Sequence, residues 1–132
     1  MRELRYPPHS LPGQTRLQWE RDRLNPWRME IKRLLLDERG WRCERCGVTG
    51  TVLDLDEGIL PRCDMRGLSL EQRRLAFCEV QLFLLCPRCN RESAHDRDGA
   101  FERACARYGD QVVREWYVSL GLRAPDLRFV PK

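Results

Sequence analysis

The chain has 132 residues and a formal net charge of +4, with 42% hydrophobic and 33% charged residues. This composition is typical of a single globular domain and excludes an intrinsically disordered chain. The longest purely apolar run, Leu82 to Pro87, is far shorter than the ~20 residues that a membrane span needs. The first residues contain no apolar stretch typical of a signal peptide. We therefore expect a cytoplasmic protein without a membrane segment.

The basic residues are almost all arginine, because 22 of the 24 are Arg. The planar guanidinium binds phosphate with two parallel hydrogen bonds, which makes Arg the better phosphate ligand. The bias is compatible with a nucleic-acid partner. It is equally compatible with a genome that encodes Arg in place of Lys, so composition alone does not decide between them.

The N-terminal part of the chain is predicted to be irregular. Residues 1–24 contain three prolines and scattered charge, which indicates a basic arm with a short helical piece over Gln14–Arg23. Such an arm lies along DNA, docks on the domain or is a partly mobile terminus.

A helix is predicted next. Asn25 is expected to be its N-cap and Pro26 its first residue. Apolar residues follow at helical spacing from Trp27 to Leu35. Gly40 ends the helix, because glycine adopts the positive φ that a helix terminus favours.

The rest of the domain, taken as residues 25–122, mixes strands and helices. Alternation predicts a strand at Thr51–Glu57 that pairs with Gln81–Leu85. The segment Gly58–Val80 between them carries a short helix, with Ser69 and Gln72 as a capping box. Two helices follow, over Gly99–Tyr108 and Asp110–Leu120, before a C-terminal tail at 123–132.

Four of the seven cysteines form two Cys-x-x-Cys pairs. These are Cys43, Cys46, Cys86 and Cys89. Each pair places two thiolates on one side of a tight turn, and two such knuckles complete a tetrahedral structural zinc site. An odd cysteine count argues against a disulfide framework. Cys63, Cys78 and Cys105 are predicted to be small buried or partly buried residues.

Three motifs together resemble the HNH endonuclease family. They are WRCERCG at 41–47, LDLDEGILPR at 53–62 and LLCPRCN at 84–90. The resemblance spans roughly residues 27–110. It implies an α+β fold with a ββα-metal, treble-clef-like core, braced by a four-cysteine zinc site and carrying flanking helices.

The resemblance also implies roles for individual residues. Asp56 corresponds to the strand ligand of a catalytic Mg²⁺ or Mn²⁺, and Asn90 to the helix ligand, as in phage Holliday-junction resolvases of the endonuclease VII kind. Glu57 corresponds to the general base, where the family has His. Gln81 lies near the family's middle Asn, which pins the loop between the strands. His95 is a candidate third ligand or replacement base.

Each of these residues also has an ordinary structural interpretation. Asp56 is alternatively a strand-end charge paired with an arginine, and Glu57 the partner of Arg62 in a salt bridge. Asn90 is alternatively a helix N-cap, and His95 a solvated loop residue. These alternatives stay open at the level of sequence.

Arginines near the knuckles are candidates for contacts with DNA phosphates. We select Arg62, Arg88 and Arg91. The tryptophans Trp27, Trp41 and Trp116 are predicted to lie on apolar faces in the core, so no aromatic surface for stacking bases is expected.

The sequence thus predicts an HNH-like, divalent-metal-dependent DNA endonuclease of phage or mobile-element type. The alternative is a catalytically retired HNH fold that binds DNA or protein in a larger assembly, because Glu57 and Gln81 depart from the family pattern. A zinc-stabilised interaction protein without a nucleic-acid role is a third hypothesis. A homodimer, or a larger phage or defence assembly, is compatible with each.

Overall fold

Short helices surround a two-stranded antiparallel sheet in the computed structural model, which describes Leu4, Pro7, residues 12–59 and residues 68–121. The protein is therefore of the mixed α+β class in its described parts. The N-terminal half contains α1 (Arg16–Trp19), a π-helical turn (Glu20–Leu24), α2 (Asn25–Arg39) and β1 (Asp54–Glu57). The C-terminal half contains α3 (Leu70–Ala76), β2 (Leu82–Leu85), α4 (Pro87–Glu92), α5 (Arg97–Tyr108) and α6 (Asp110–Ser119). Two 3₁₀ turns, Glu79–Gln81 and Ser93–His95, precede β2 and α5.

The short helical piece predicted over Gln14–Arg23 is present, as α1 and the π-helical turn that follows it. Thr15 caps α1 in a capping box with Gln18, and the chain stays helical from there into α2. The prediction that Asn25 is an N-cap is wrong, because its N–H already bonds to the carbonyl of Glu20, five residues back. Pro26 explains this π turn, because proline has no N–H and its ring clashes with the carbonyl four residues earlier in a regular helix.

Part of the predicted arm packs into the domain. Trp19 and Leu24 are buried in the same hydrophobic core as the strand β2. Leu4 is partly buried against that core. Of the three interpretations of the arm, docking on the domain therefore describes these residues.

The sheet is short and its two strands have different surroundings. All four residues of β2 are buried, whereas β1 is only partly buried until Glu57. Asp54 pairs with Leu85 and Asp56 with Phe83. The strand begins at Asp54 rather than at Thr51, and β2 begins one residue later than predicted. Because side chains alternate along a strand, Asp54 and Asp56 share one face of β1 and Glu57 lies on the other.

Local signals correctly predict several helix ends. Gly40 ends α2 with a φ of 92°, and the capping box of Ser69 and Gln72 is present at the start of α3. The Gln72 side chain also donates to the carbonyl of Leu120 over 3.0 Å, which joins α3 to the end of α6. None of the described helices is both long and apolar enough to cross a membrane.

A buried ion pair attaches the first knuckle to the helices. Arg39 and Glu44 lie 3.1 Å apart, with side chains only 5% and 7% exposed. Glu44 also pairs with Arg107 of α5 and accepts the N–H of Leu84 in β2. Arg39 donates to the Tyr108 hydroxyl over 2.9 Å. One carboxylate thus connects α2, the knuckle, β2 and α5.

Replacing Glu44 with Ala is expected to destabilise the fold by about 3–5 kcal/mol, because the substitution leaves the Arg39 guanidinium buried without its counter-ion. Denaturant unfolding of the full chain measures this change. The matched control is Glu30→Ala, an exposed residue of α2, which should change stability by less than about 0.5 kcal/mol. Equal effects of the two substitutions would show that the ion pair does not hold the knuckle.

Candidate metal sites

The first knuckle is a tight hairpin between α2 and β1. Arg42 forms an antiparallel bridge with Thr49, and the N–H of Cys43 donates to the carbonyl of Val48 over 3.0 Å. Gly47 closes the turn with a positive φ of 80° and bonds back to the Cys43 carbonyl. The hairpin therefore presents the Cys43 and Cys46 thiols on one side.

The second knuckle is built into the start of α4. The Cys86 sulfur accepts the N–H of Cys89, and Cys86 is the N-cap of this helix. Pro87 occupies the first turn, where its missing N–H costs no hydrogen bond. The alternative interpretation of Asn90 as the N-cap is wrong, because Asn90 lies inside α4.

The prediction that the four cysteines of the knuckles come together is confirmed. Their sulfur atoms all lie within 4.8 Å of one another, and those of Cys46 and Cys86 are 3.8 Å apart. A tetrahedral zinc site with bonds of about 2.3 Å places its sulfurs about 3.8 Å apart. The donor set therefore fits a metal ion such as zinc. Among the described residues, no other group of three or more His, Cys, Asp or Glu side chains comes close enough to hold an ion.

The surroundings of the cluster favour the thiolate form of Cys43 and disfavour that of Cys89. Burial works to raise the pKa of the Cys43 thiol, but N–H groups of Cys46, Cys86 and Arg45 outweigh it and lower that pKa. Burial raises the pKa of Cys89. A divalent cation supplies the charge that lets both thiols ionise, because only the thiolate is a metal ligand.

An arginine between the first two thiols joins the knuckles. Arg45 forms ion pairs with Glu92 and, over 3.0 Å, with Asp96. Asp96 also binds Arg103 of α5 over 2.8 Å.

The remaining cysteines lie elsewhere: Cys78 and Cys105 are partly buried as expected, and Cys63 is outside the described residues.

Two carboxylates of β1 face Asn90 of α4 and Ser93, the first residue of the 3₁₀ turn after α4. The amide of Asn90 donates to Asp54 over 3.4 Å. The hydroxyl of Ser93 donates to Asp56 over 2.6 Å. Burial raises the pKa of Asp56, and the Ser93 hydrogen bond only partly offsets this. Asn90 therefore lies opposite Asp54 rather than Asp56.

Sequence reasoning missed Asp54 and Ser93 as members of this face. Both were detectable from periodicity, because Asp54 lies two residues before Asp56 on a strand and Ser93 three residues after Asn90 on a helix. We call the side chains of Asp54, Asp56, Asn90 and Ser93 the carboxylate face.

Glu57 lies on the opposite side of β1, where it is only 8% exposed. Its carboxylate forms an ion pair with Arg28 of α2. Arg28 also donates to the carbonyl of Leu55 over 3.0 Å, and Arg97 donates to the Glu57 carbonyl over 3.2 Å. The salt-bridge interpretation of Glu57 thus holds with Arg28 as partner, while the expected partner Arg62 lies outside the described residues.

Gln81 is fully buried at the end of the segment between the strands. Its side-chain amide donates to the carbonyl of Ala76, at the end of α3, over 2.7 Å. Its own carbonyl accepts the N–H of Gly58, directly after β1. These contacts link both ends of the 58–80 segment to the sheet.

Three other predicted site residues are exposed. His95 lies in the 3₁₀ turn after α4, and Arg88 and Arg91 lie on α4 itself. No metal-ligating cluster among the described residues includes His95.

The prediction that Trp41 is a core residue is wrong, because the side chain is 65% exposed. Trp116 is buried, and Trp27 is partly buried against Phe77 at a ring distance of 5.8 Å. Trp41 lies between a helix end and a knuckle, outside any apolar periodicity, so no pattern placed it on a buried face.

Comparison with known proteins gives no relative. No protein-family model, no curated protein and no solved structure matches the chain. The function is therefore argued from the side-chain arrangement.

The purified chain is expected to bind one zinc ion, and Cys46→Ser should abolish stoichiometric binding and the cooperative unfolding transition. In small metal domains the free energy of metal binding is part of the folding free energy. Elemental analysis and thermal unfolding measure the two effects. Cys105→Ser is the control and should retain the zinc, and zinc retained by Cys46→Ser would rule out the four-cysteine site.

Proposed function

We propose that this chain is an HNH-like, divalent-metal-dependent DNA endonuclease with a ββα-metal core that the four-cysteine zinc site braces. The carboxylate face carries the proposal. Two antiparallel strands lead into a helix, and Asp54 and Asp56 of the strand meet Asn90 of α4 and Ser93 of the turn after it. The motif resemblance assigns a catalytic cation to this place, between strand and helix.

The donors of the carboxylate face suit Mg²⁺ or Mn²⁺. Both ions prefer carboxylate and amide oxygens. Asp54 and Asp56 supply two carboxylates, and turning the Asn90 amide about its last bond brings its oxygen to the place of its nitrogen. The hydroxyl of Ser93 orients the Asp56 carboxylate, as outer partners of metal ligands commonly do.

The remaining roles follow from what the side chains already bind. A bound divalent cation would stabilise the charge on the scissile phosphate and on the leaving oxygen. The exposed arginines of α4, Arg88 and Arg91, supply contacts to neighbouring phosphates, and Arg62 stays a predicted third contact. Gln81 keeps the segment between the strands in place through Ala76 and Gly58.

The proton acceptor is assigned from the side of β1 on which each candidate lies. Glu57, the residue at the family's base position, is held by Arg28 on the opposite side of β1. His95 is exposed two residues after Ser93, and imidazole is the commonest general base near neutral pH. We therefore assign the base to His95 and a positioning role to Glu57.

A second function is favoured by that same ion pair. A carboxylate bound to a partly buried guanidinium in place of a free histidine is what a retired nuclease would contain. In that case the domain binds DNA and cuts nothing. A single site of this type cuts one strand, so double-strand cleavage would require a homodimer or a larger assembly.

Cleavage tests the first function. Supercoiled plasmid and a four-way junction are incubated with the zinc-loaded protein in Mg²⁺, in Mn²⁺ and in EDTA. We expect the protein to nick the plasmid in Mg²⁺ and in Mn²⁺ but not in EDTA. Asp54→Asn and Asp56→Asn should each slow cleavage by at least about a hundredfold, since even outer-shell changes at metal sites cost 10- to 100-fold.

The matched control is Asp37→Asn, an exposed carboxylate of α2, which should cut like the wild type. Mn²⁺ titration by calorimetry supplies a readout independent of activity. Cleavage by Asp56→Asn at the wild-type rate would contradict the first function. A wild-type protein that binds DNA, does not cut it and does not bind Mn²⁺ would support the second function.

The base assignment has its own test. His95→Ala should lose cleavage while Mn²⁺ binding and stability stay unchanged, because His95 is exposed. Glu57→Gln should lower the unfolding midpoint, because it removes the charge that Arg28 binds. Full activity in His95→Ala together with inactivity in a folded Glu57→Gln would return the base role to Glu57.

A further inference from the structure

One tryptophan lies on the surface beside the first knuckle. Trp41 is 65% exposed, whereas Trp19 and Trp116 are each 5% exposed and Trp27 is partly buried. Exposing so large an aromatic side chain forgoes the burial that stabilises the others. Trp41 directly follows the end of α2 and precedes Arg42, which is bridged to Thr49.

An arginine-lined groove of about 440 Å³ runs along the same knuckle. Its charged lining is Arg39, Arg42, Arg45, Arg107 and the single acid Glu44. Cys43 and Cys46 of the metal cluster line it as well. We call this the knuckle groove.

The charges around the groove are not all available to a ligand. Arg39 is buried against Glu44, and Arg45 binds Glu92 and Asp96. Arg107 also pairs with Glu44, but its side chain is 35% exposed.

Arg42 is the free cation of the groove. It is exposed and forms no ion pair with any of the residues that the structure describes. The groove therefore presents one positive charge without an acidic partner among the described residues, directly after Trp41 in the chain.

We infer that Trp41 and the knuckle groove form a contact surface for an unpaired nucleic-acid strand. The indole of Trp41 stacks on one base, and the guanidinium groups of Arg42 and Arg107 bind phosphates of the same strand. This combination of an aromatic surface with a basic groove is how proteins bind single strands without sequence preference. The inference rests on the proposed action on DNA and identifies the DNA structure that the domain prefers.

An unpaired strand fits these observations better than a duplex or a protein. In a duplex each base is already stacked between its neighbours, so an exposed indole gains little. A protein partner would find the same tryptophan, but the adjacent exposed Arg42 and the half-exposed Arg107 favour a polyanion.

Fluorescence anisotropy tests the surface with labelled oligothymidylate and with a duplex of equal length. Wild type should bind the single strand more tightly. Trp41→Ala should weaken single-strand binding about tenfold, since stacking of one base is worth ~1–3 kcal/mol. Arg42→Ala should weaken it too and should reduce the slope of log affinity against log salt by about 0.7.

Matched controls come from exposed residues of the first helices. Leu17→Ala, 77% exposed, controls for Trp41, and Arg33→Ala of α2 controls for Arg42. Neither should change affinity. Trp41→Phe should retain most of the binding, because phenylalanine also stacks. Oligothymidylate should quench the wild-type tryptophan emission and leave that of Trp41→Phe unchanged.

The outcomes separate this inference from the proposed function. Unchanged single-strand affinity in both Trp41→Ala and Arg42→Ala overturns the inference, even where Asp56→Asn abolishes cleavage. Weakened affinity in both variants supports it, even where wild type cuts nothing. Absence of binding by wild type at about 50 mM salt, or equally tight binding of an acidic oligopeptide, also overturns it.

Discussion

Four sulfur atoms join two parts of the chain that are forty residues apart, and the arrangement of the domain follows from this junction. Cys43 and Cys46 belong to a hairpin after α2, while Cys86 and Cys89 begin α4. β2 ends at Leu85, the residue before the second pair. The junction therefore also fixes the position of α4 relative to the sheet. The angle between β1 and α4, and with it the carboxylate face, therefore depends on cysteine geometry.

The cluster alone would leave the hairpin free to turn about it, and charged residues within the hairpin prevent that. Glu44 points inward to Arg39, Arg107 and the N–H of Leu84, while Arg45 points to Glu92 and Asp96. Burying Glu44 and Arg39 costs desolvation energy that only good pairing offsets. The adjacent residues Glu44 and Arg45 carry opposite charges and point to opposite sides of the hairpin. Together they fix the knuckle to β2 and α5.

Local patterns predicted the features that depend on neighbours in sequence. Cys-x-x-Cys spacing, the Ser69 capping box and Gly40 each act within a few residues, so their physics is visible in the sequence. The π turn before Pro26, the Arg28 partner of Glu57 and the pairing of Asn90 with Asp54 depend on which elements meet in space. The prediction that Trp41 lies on an apolar face is wrong because the residue stands between a helix end and a knuckle, where no helical or strand period creates such a face.

Strand alternation carries the main consequence for function. Asp56 and Glu57 are adjacent in sequence, yet one faces α4 and the other faces α2. A ligand and a base on opposite sides of β1 do not converge on one phosphate, so a nuclease in this domain needs its proton acceptor from the α4 side. Ser93, whose hydroxyl binds Asp56, begins the short turn that ends at His95. The proposed nuclease therefore takes its base from the α4 side of β1 and not from the strand position that the motif resemblance indicates.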